Sequence, residues 1–383
     1  MARERVLFRL FGLPVKASGS WLFLVALVIY SLWQGYFPQQ LGPSASWQLN
    51  LALSVVGTVG LFASLIAHEM CHSLVARATG MPVAGITLFI FGGVSQLEDE
   101  PSTALSEFFM AIVGPLSSVL IGVGFLAVWF VARLWHFPVA LLALARYLAM
   151  INFVLAAFNS LPAFPLDGGR VLRSVVWAVT DNLRVATRFA ATIGSAFGIL
   201  MIVAGFFTIM TTPGIQIGGI WLIVLGFFLR QAAMGSLQMV ILRHNLQGNR
   251  VRRFMTMNLV TVPQDLDVQR FVDEYVFHHR FNYYPVVDDD GLLVGLIGSR
   301  APRRVPPERW PVTPVSELMR RADENLILDP DTDAVDALAA LRPLDEHRAV
   351  VVENGRPVGI VSLSDLLEFL ALKIDLTPRR RLR

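Results

Sequence analysis

Charge is scarce in this chain, and the scarcity excludes whole classes of protein. Of 383 residues, 16% are Asp, Glu, Lys or Arg, while 54% are hydrophobic. Soluble domains carry about 25% charged residues, so a mean hydropathy of +0.57 rules out an ordinary soluble protein. Cysteine is almost missing too: with Cys71 alone, no intrachain disulfide can form. Lysine is rare, the basic residues are almost all arginine, and the net charge is only +3. So small an excess leaves no electrostatic footprint for nucleic acid, and the uneven placing of the arginines reads as membrane topology.

Long apolar runs are what the chain has instead. Six of them, roughly 19–36, 49–79, 103–132, 138–161, 189–211 and 216–240, are long enough to span a bilayer or nearly so. The first follows Arg3, Arg5, Arg9 and Lys16 without a convincing small-residue cleavage site, which predicts an uncleaved signal-anchor. Gly35–Gln48 and Thr211–Gly219 carry no charge. By contrast Arg170, Arg173, Arg184 and Arg188 crowd one loop, and Arg243, Arg250, Arg252 and Arg253 follow the last run. The positive-inside rule then predicts a multi-pass protein of the cell membrane with both termini in the cytoplasm. Arg133 and Arg146 run against this assignment and are outnumbered.

The second run ends in a chemical signal. Leu51 to Ala67 has no charge, and His68-Glu69-Met70-Cys71-His72 follows at once. Ionisable groups at membrane depth are costly and functional by default. On a helix, HExxH puts both imidazoles on one face, at i and i+4, where they grip one Zn²⁺ with the glutamate as general base. That pattern suggests a zinc hydrolase acting inside the bilayer, and Cys71 reads as a small buried thiol. Catalytic zinc keeps three protein ligands and one open position, so a third ligand is expected near the same cytoplasmic boundary. The candidate is Asp167, within Asn159-Ser-Leu-Pro162-Ala-Phe-Pro165-Leu-Asp167-Gly168-Gly169-Arg170. Two prolines break the fourth span there, and two glycines permit a tight backbone. An acidic group in broken helix at membrane depth lines a cavity or binds an ion; the alternative is an Asp capping a helix that begins near Gly168.

Together HEMCH in span two, Gly114-Pro115 early in span three and the NxLPxxPLDGG stretch after span four resemble the site-2 proteases, the intramembrane zinc metalloproteases of regulated intramembrane proteolysis. The resemblance implies that His68, His72 and Asp167 bind one Zn²⁺ per chain, that Glu69 activates the water, and that Asn159 contacts substrate or the developing oxyanion. For Asn159 the alternative is an amide capping the interrupted helix. The implied activity is that of a zinc metalloendopeptidase cutting transmembrane substrates such as anti-sigma factors or pro-proteins. The rival from another class is a membrane transporter or ion-binding protein that uses the His/Asp cluster to move an ion. Gly85–Leu97, β-branched and aromatic with Gly92-Gly93 in the middle, predicts a strand or hairpin at the membrane edge. By resemblance this element receives the unwound substrate by strand addition; the alternative is a structural re-entrant hairpin. Glu98, Asp99 and Glu100 then mark the water boundary.

Composition changes after Arg253, and an internal repeat becomes visible. Each unit has a short helix, an extended segment, an amphipathic helix and two strands around an Asp-Gly or Asn-Gly turn. The pair resembles tandem CBS domains, which often bind adenine nucleotides through a Gly-hydrophobic-hydrophobic-Ser/Thr-x-x-Asp end. Unit two has that end as Gly359-Ile-Val-Ser362-Leu-Ser-Asp365; unit one ends Gly295-Leu-Ile-Gly-Ser-Arg-Ala and lacks the Asp. The resemblance implies an adenine nucleotide at Ser362 and Asp365, or a pair that only packs or forms a homodimer, with Asp365 as a helix cap. His278 and His279 read as a solvated helix face, and Arg379, Arg380 and Arg381 as a tail for anionic lipid. The expected architecture is a polytopic α-helical membrane domain of six helices with a membrane-edge β-hairpin (1–245), an α/β tandem CBS pair (252–310 and 311–372) and a basic tail (373–383).

Overall fold

A computed structural model describes residues 5–90, 92–97, 101–211, 216–279, 281–323, 326–341 and 347–376. The chain divides into two compact units, Met1–Gln238 and Met239–Arg383. Glu98, Asp99, Glu100 and Arg379–Arg381 lie outside the described residues.

Unit one opens with strands β1 (Arg5–Leu10) and β2 (Leu13–Ala17). Helix α1 (Gly19–Ser31) follows and continues through a π-turn, Leu32–Tyr36, into α2 (Phe37–Leu41). Next come α3 (Trp47–Ala78), β3 (Val83–Phe89), β4 (Gly92–Leu97), α4 (Ala104–Leu134), α5 (Val139–Asn159), α6 (Asp167–Thr180), α7 (Leu183–Thr211) and α8 (Gln216–Leu246). Among the described residues six helices are long and apolar enough to cross a membrane: Gly19–Leu41, Trp47–Ala78, Ala104–Leu134, Val139–Asn159, Leu183–Thr211 and Gly218–Arg243. They match the six apolar runs, and the chain is a multi-pass membrane protein. Caps set their starts: Ser46 Oγ accepts from the Leu49 N–H at 3.2 Å, and Thr103 with Ser106 closes a capping box on α4.

Lipid replaces water as solvent for the outer faces, so large apolar side chains stay uncovered; Phe207 is 68% exposed. The inner faces are small or polar. On α7 and α8, Gly198 meets Gly226 and Gly205 meets Gly219 backbone to backbone, and a Cβ at Gly198 would stand 2.6 Å from the Gly226 carbonyl oxygen. Apolar burial does not drive helices together in lipid, and close backbone approach takes its place. Between α3 and α5 the buried Asn152 amide donates to Ser64 Oγ at 3.0 Å.

The sheet is larger than the expected hairpin. Its four strands run in the order β1-β2-β3-β4, with β2 parallel to β3 and the other pairs antiparallel. Arg5, Arg9 and Lys16 are thus strand residues rather than the charged start of a signal-anchor. Leu10 pairs with Leu13 across a two-residue turn, Phe11-Gly12, with both φ values positive, and the Arg77 guanidinium at the end of α3 donates to the Phe11 carbonyl at 2.9 Å. Leu13, Val15, Ile86 and Leu88 bury one sheet face against Phe62, Leu65 and Met70 of α3. The arginine-rich loop after span four is likewise helical: Arg170 and Arg173 lie on α6, where Arg173 is buried, and Arg184 and Arg188 lie in the first turns of α7.

Unit two is built twice over. In its first half β5 (Val262–Pro263) precedes a helical stretch, α9 (Val268–Arg270), a π-turn and α10 (Phe277–His279), and then β6 (Tyr283–Val287) and β7 (Leu293–Gly298). The second half runs α11 (Val315–Leu318), β8 (Arg320–Arg321), β9 (Ile327–Leu328), α12 (Ala334–Leu341), β10 (Arg348–Glu353), β11 (Arg356–Ser362) and α13 (Leu363–Leu376). Each half pairs a short strand in parallel with the first strand of an antiparallel hairpin. The halves also exchange edges: β8, which opens the second, pairs with β7 of the first, and Thr256, which opens the first, bridges Ile360 of the second. Leu296, Leu326 and Val350 form a shared core between them. His278 and His279 are exposed on α10, in agreement with a solvated face.

Candidate metal centre and active site

Helix α3 carries His68 and His72 one turn apart, and its interior position buries both rings. Asp167 comes from the first residue of α6, and Pro162 and Pro165 end the helical path between α5 and α6. It does not act as a cap. Its Oδ2 lies 3.1 Å from His68 Nε2 and 3.2 Å from His72 Nε2, and the two Nε2 atoms are 3.2 Å apart.

These distances fit a metal. Met110 contributes a carbonyl, which can only accept, so His72 donates its Nδ1–H there at 2.6 Å and its neutral Nε2 carries a lone pair. His68 Nδ1 is held by Ser118 Oγ at 2.9 Å. The His72 Nε2 lone pair, the His68 Nε2 and a carboxylate oxygen thus face one point, the donor set that a cation joins. A tetrahedral site with Zn–N of about 2.0–2.1 Å has ligand–ligand edges of roughly 3.3 Å, close to the spacing seen. Partners on the far ring nitrogens are the usual support of metal-bound histidines. Gly114 of α4 completes the cradle: a Cβ there would collide with the His72 imidazole and stand 2.8 Å from His68 Nε2. Among the described residues this is the one group of His, Cys, Asp or Glu side chains able to hold a metal ion.

Glu69, half-buried, sits on the same turn of α3. Strand β4 passes so close that a Cβ on Gly93 would stand 2.8 Å from Glu69 Cγ. Cys71 is half-buried and lies outside the metal group. Asn159 is the last residue of α5, and its amide donates to the Leu155 carbonyl at 3.1 Å, a bond within its own helix.

A buried ion pair, which the charge pattern did not reveal, braces α6. Arg173 Nε donates to Glu107 Oε1 of α4 at 2.6 Å, and the guanidinium stacks over Phe164 at 5.0 Å from the ring centre. An acidic residue inside an apolar run was the available signal. In unit two, Ser362 and Asp365 form a reciprocal cap on α13: Asp365 Oδ2 accepts from the Ser362 N–H at 2.8 Å, and Ser362 Oγ accepts from the Asp365 N–H at 3.2 Å. Asp365 also lines a small cavity of about 100 Å³ with Thr256, Phe281 and Tyr283.

Comparison with known proteins places these features in a family. Residues 56–135 and 137–205 match the model of peptidase family M50, and 251–301 and 315–372 match the CBS domain. The chain is 32% identical over 365 residues to sll0528 of Synechocystis sp., covering 94% of each chain. It is 32% identical over 367 residues to Rip3 of Mycobacterium tuberculosis, covering 94% of this chain and 91% of that one. With zinc metalloprotease MJ0392 of Methanocaldococcus jannaschii it shares 29% identity over 369 residues, 96% of each chain. This chain belongs to peptidase family M50, the site-2 protease family, in a form that carries a tandem CBS pair.

Proposed function

We propose that this metalloprotease is an endopeptidase that hydrolyses peptide bonds within transmembrane segments, with His68, His72 and Asp167 as zinc ligands and Glu69 as general base. The observation that carries the reading is the convergence of two Nε2 atoms and one carboxylate oxygen, with a glutamate on the same helical turn. Held there, Zn²⁺ supplies Lewis acidity toward a carbonyl oxygen and toward water. Glu69 takes the proton of the attacking water and passes it to the leaving amine. Met110 and Ser118 keep both imidazoles turned toward the ion, and Gly114 keeps the space in front of them open. A substrate helix hides its carbonyls in backbone hydrogen bonds and has to unwind first. Strand β4, at the end of its sheet order and beside Glu69, offers an edge to which the unwound segment adds.

The charge pattern supports cytoplasmic termini, which put the metal group near the cytoplasmic face, within reach of water. Anti-sigma factors and pro-proteins are the substrate classes proposed, and the CBS pair is the regulatory half, through an adenine nucleotide at Ser362 and Asp365 or through a homodimer. A transporter that moves an ion through the cluster has no use for a base between two ligands. Co-expression of tagged candidate substrates with the wild type, Glu69→Gln and Asp167→Asn tests the assignment. Both variants are expected to accumulate uncut substrate, and continued cleavage by Glu69→Gln would overturn the role of Glu69.

A further inference from the structure

Helix α4 is a template for the metal group. Glu107, Met110, Gly114 and Ser118 are all buried and follow one another along one face of it, at helical spacing. Met110 and Ser118 orient the imidazoles, and Gly114 makes room for them. Glu107, at the near end of the stripe, holds Arg173 of α6 instead, and α6 is the helix that opens with Asp167. One face of α4 therefore fixes the two histidines directly and the helix of the third ligand through an ion pair.

Stability does not explain the pair. Glu107 and Arg173 are both buried, and apolar side chains of similar volume are often as stabilising as a buried ion pair. What the pair supplies beyond apolar contact is direction. Arg173 Nε donates to Glu107 Oε1 at 2.6 Å, its Nη1 reaches Thr187 Oγ1 of α7 at 3.5 Å, and the guanidinium lies over Phe164, in the chain that leads into α6. Arg173 follows Asp167 by six residues, about 9 Å along the helix axis and roughly 120° around it. Contacts so placed settle both the slide and the roll of α6. Roll matters here, because side-chain atoms sit about 5–6 Å from a helix axis and a roll of about 10° carries a carboxylate oxygen about 1 Å. Zinc–ligand distances hold to about 0.2 Å. Apolar burial is non-directional and resists such a roll poorly. We propose that Glu107 and Arg173 are positioning residues for the metal group: their ion pair sets the roll of α6 on α4, and with it the place of the Asp167 carboxylate. The proposal rests on Asp167 as a zinc ligand, and both residues act through it.

Stability and metal geometry should then separate in Glu107→Leu/Arg173→Leu. The full-length proteins in detergent micelles are compared by SDS unfolding, by zinc affinity in chelator competition and by the visible spectrum of the Co²⁺-loaded site, which reports ligand geometry. Asp167→Asn is the reference for a lost ligand. The leucine pair is expected to unfold close to wild type and yet to bind zinc at least tenfold more weakly, the scale of a lost outer partner, with a Co²⁺ spectrum shifted from that of the wild type. Arg173→Lys keeps the charge and loses the planar fork; it is expected to shift the spectrum with a smaller loss of affinity. A folded leucine pair with wild-type affinity and spectrum overturns the positioning role. Should the leucine pair not fold, Arg173→Lys with both unchanged overturns it. Asp167→Asn with wild-type affinity and spectrum removes Asp167 from the ligand set, which overturns the ligand reading itself and the proposal with it.

Discussion

Removing Arg173 alone should damage this protein more than removing Arg173 and Glu107 together. Glu107 is fully buried and Arg173 is 4% exposed, so neither charge has water to fall back on. Replacing Arg173 by leucine takes the guanidinium away from a buried carboxylate, and breaking a buried pair from one side costs about 3–5 kcal/mol. The stacking of the guanidinium on Phe164, worth about 2 kcal/mol when desolvated, lies within that range and goes with it. In Glu107→Leu/Arg173→Leu no charge is stranded, and a well-packed apolar pair is often neutral relative to the ion pair. The double variant should therefore recover most of the loss, to within about 1–2 kcal/mol of wild type. Unfolding in mixed micelles by added SDS, followed by helicity, measures all three proteins, and bound zinc reads the position of Asp167 on the same helix. The reasoning fails if Arg173→Leu costs under about 1 kcal/mol, or if the double variant is no better than the single.

Three further outcomes follow from the metal group. Ser118→Ala should weaken zinc retention by roughly 10–100-fold in chelator competition, because His68 loses the partner that orients its ring; unchanged affinity would show that Ser118 does not orient it. Gly114→Ala should remove bound zinc while helicity is preserved, since its Cβ would collide with the His72 imidazole; a full complement of zinc in that variant contradicts the packing. Gly93→Ala should keep zinc but lower the cleavage rate on the order of 10²-fold, the scale of a displaced catalytic group, because its Cβ would lie 2.8 Å from Glu69 Cγ. Wild-type turnover by Gly93→Ala would separate β4 from the base.

Much of the membrane unit was legible in advance because lipid imposes simple rules. A bilayer demands long apolar helices, so six runs predicted six helices. The spacing of His68 and His72 needs only a helix to bring the rings together, and a base between them is a local property. Strands β1 and β2 escaped notice because their charges imitate the start of a signal-anchor and their turn, Phe11-Gly12, lacks the usual Asn-Gly or Asp-Gly signature. Arg173 was counted as a loop charge, since nothing local says that its partner lies 66 residues away. For Asp365 the pattern allowed a cap or a ligand contact, and the structure shows a cap that also borders a cavity.

By itself the sequence determined the membrane spans, the paired histidines with their glutamate, and the repeat in the second unit, because each depends on periodicity or on composition within a few turns of chain. Only the tertiary structure decided that Asp167 reaches both imidazoles, that the Met110 carbonyl and Ser118 orient them, and that Arg173 of α6 meets Glu107 of α4 in a buried ion pair. Those outcomes depend on contacts between distant segments and on a backbone carbonyl that no residue type announces.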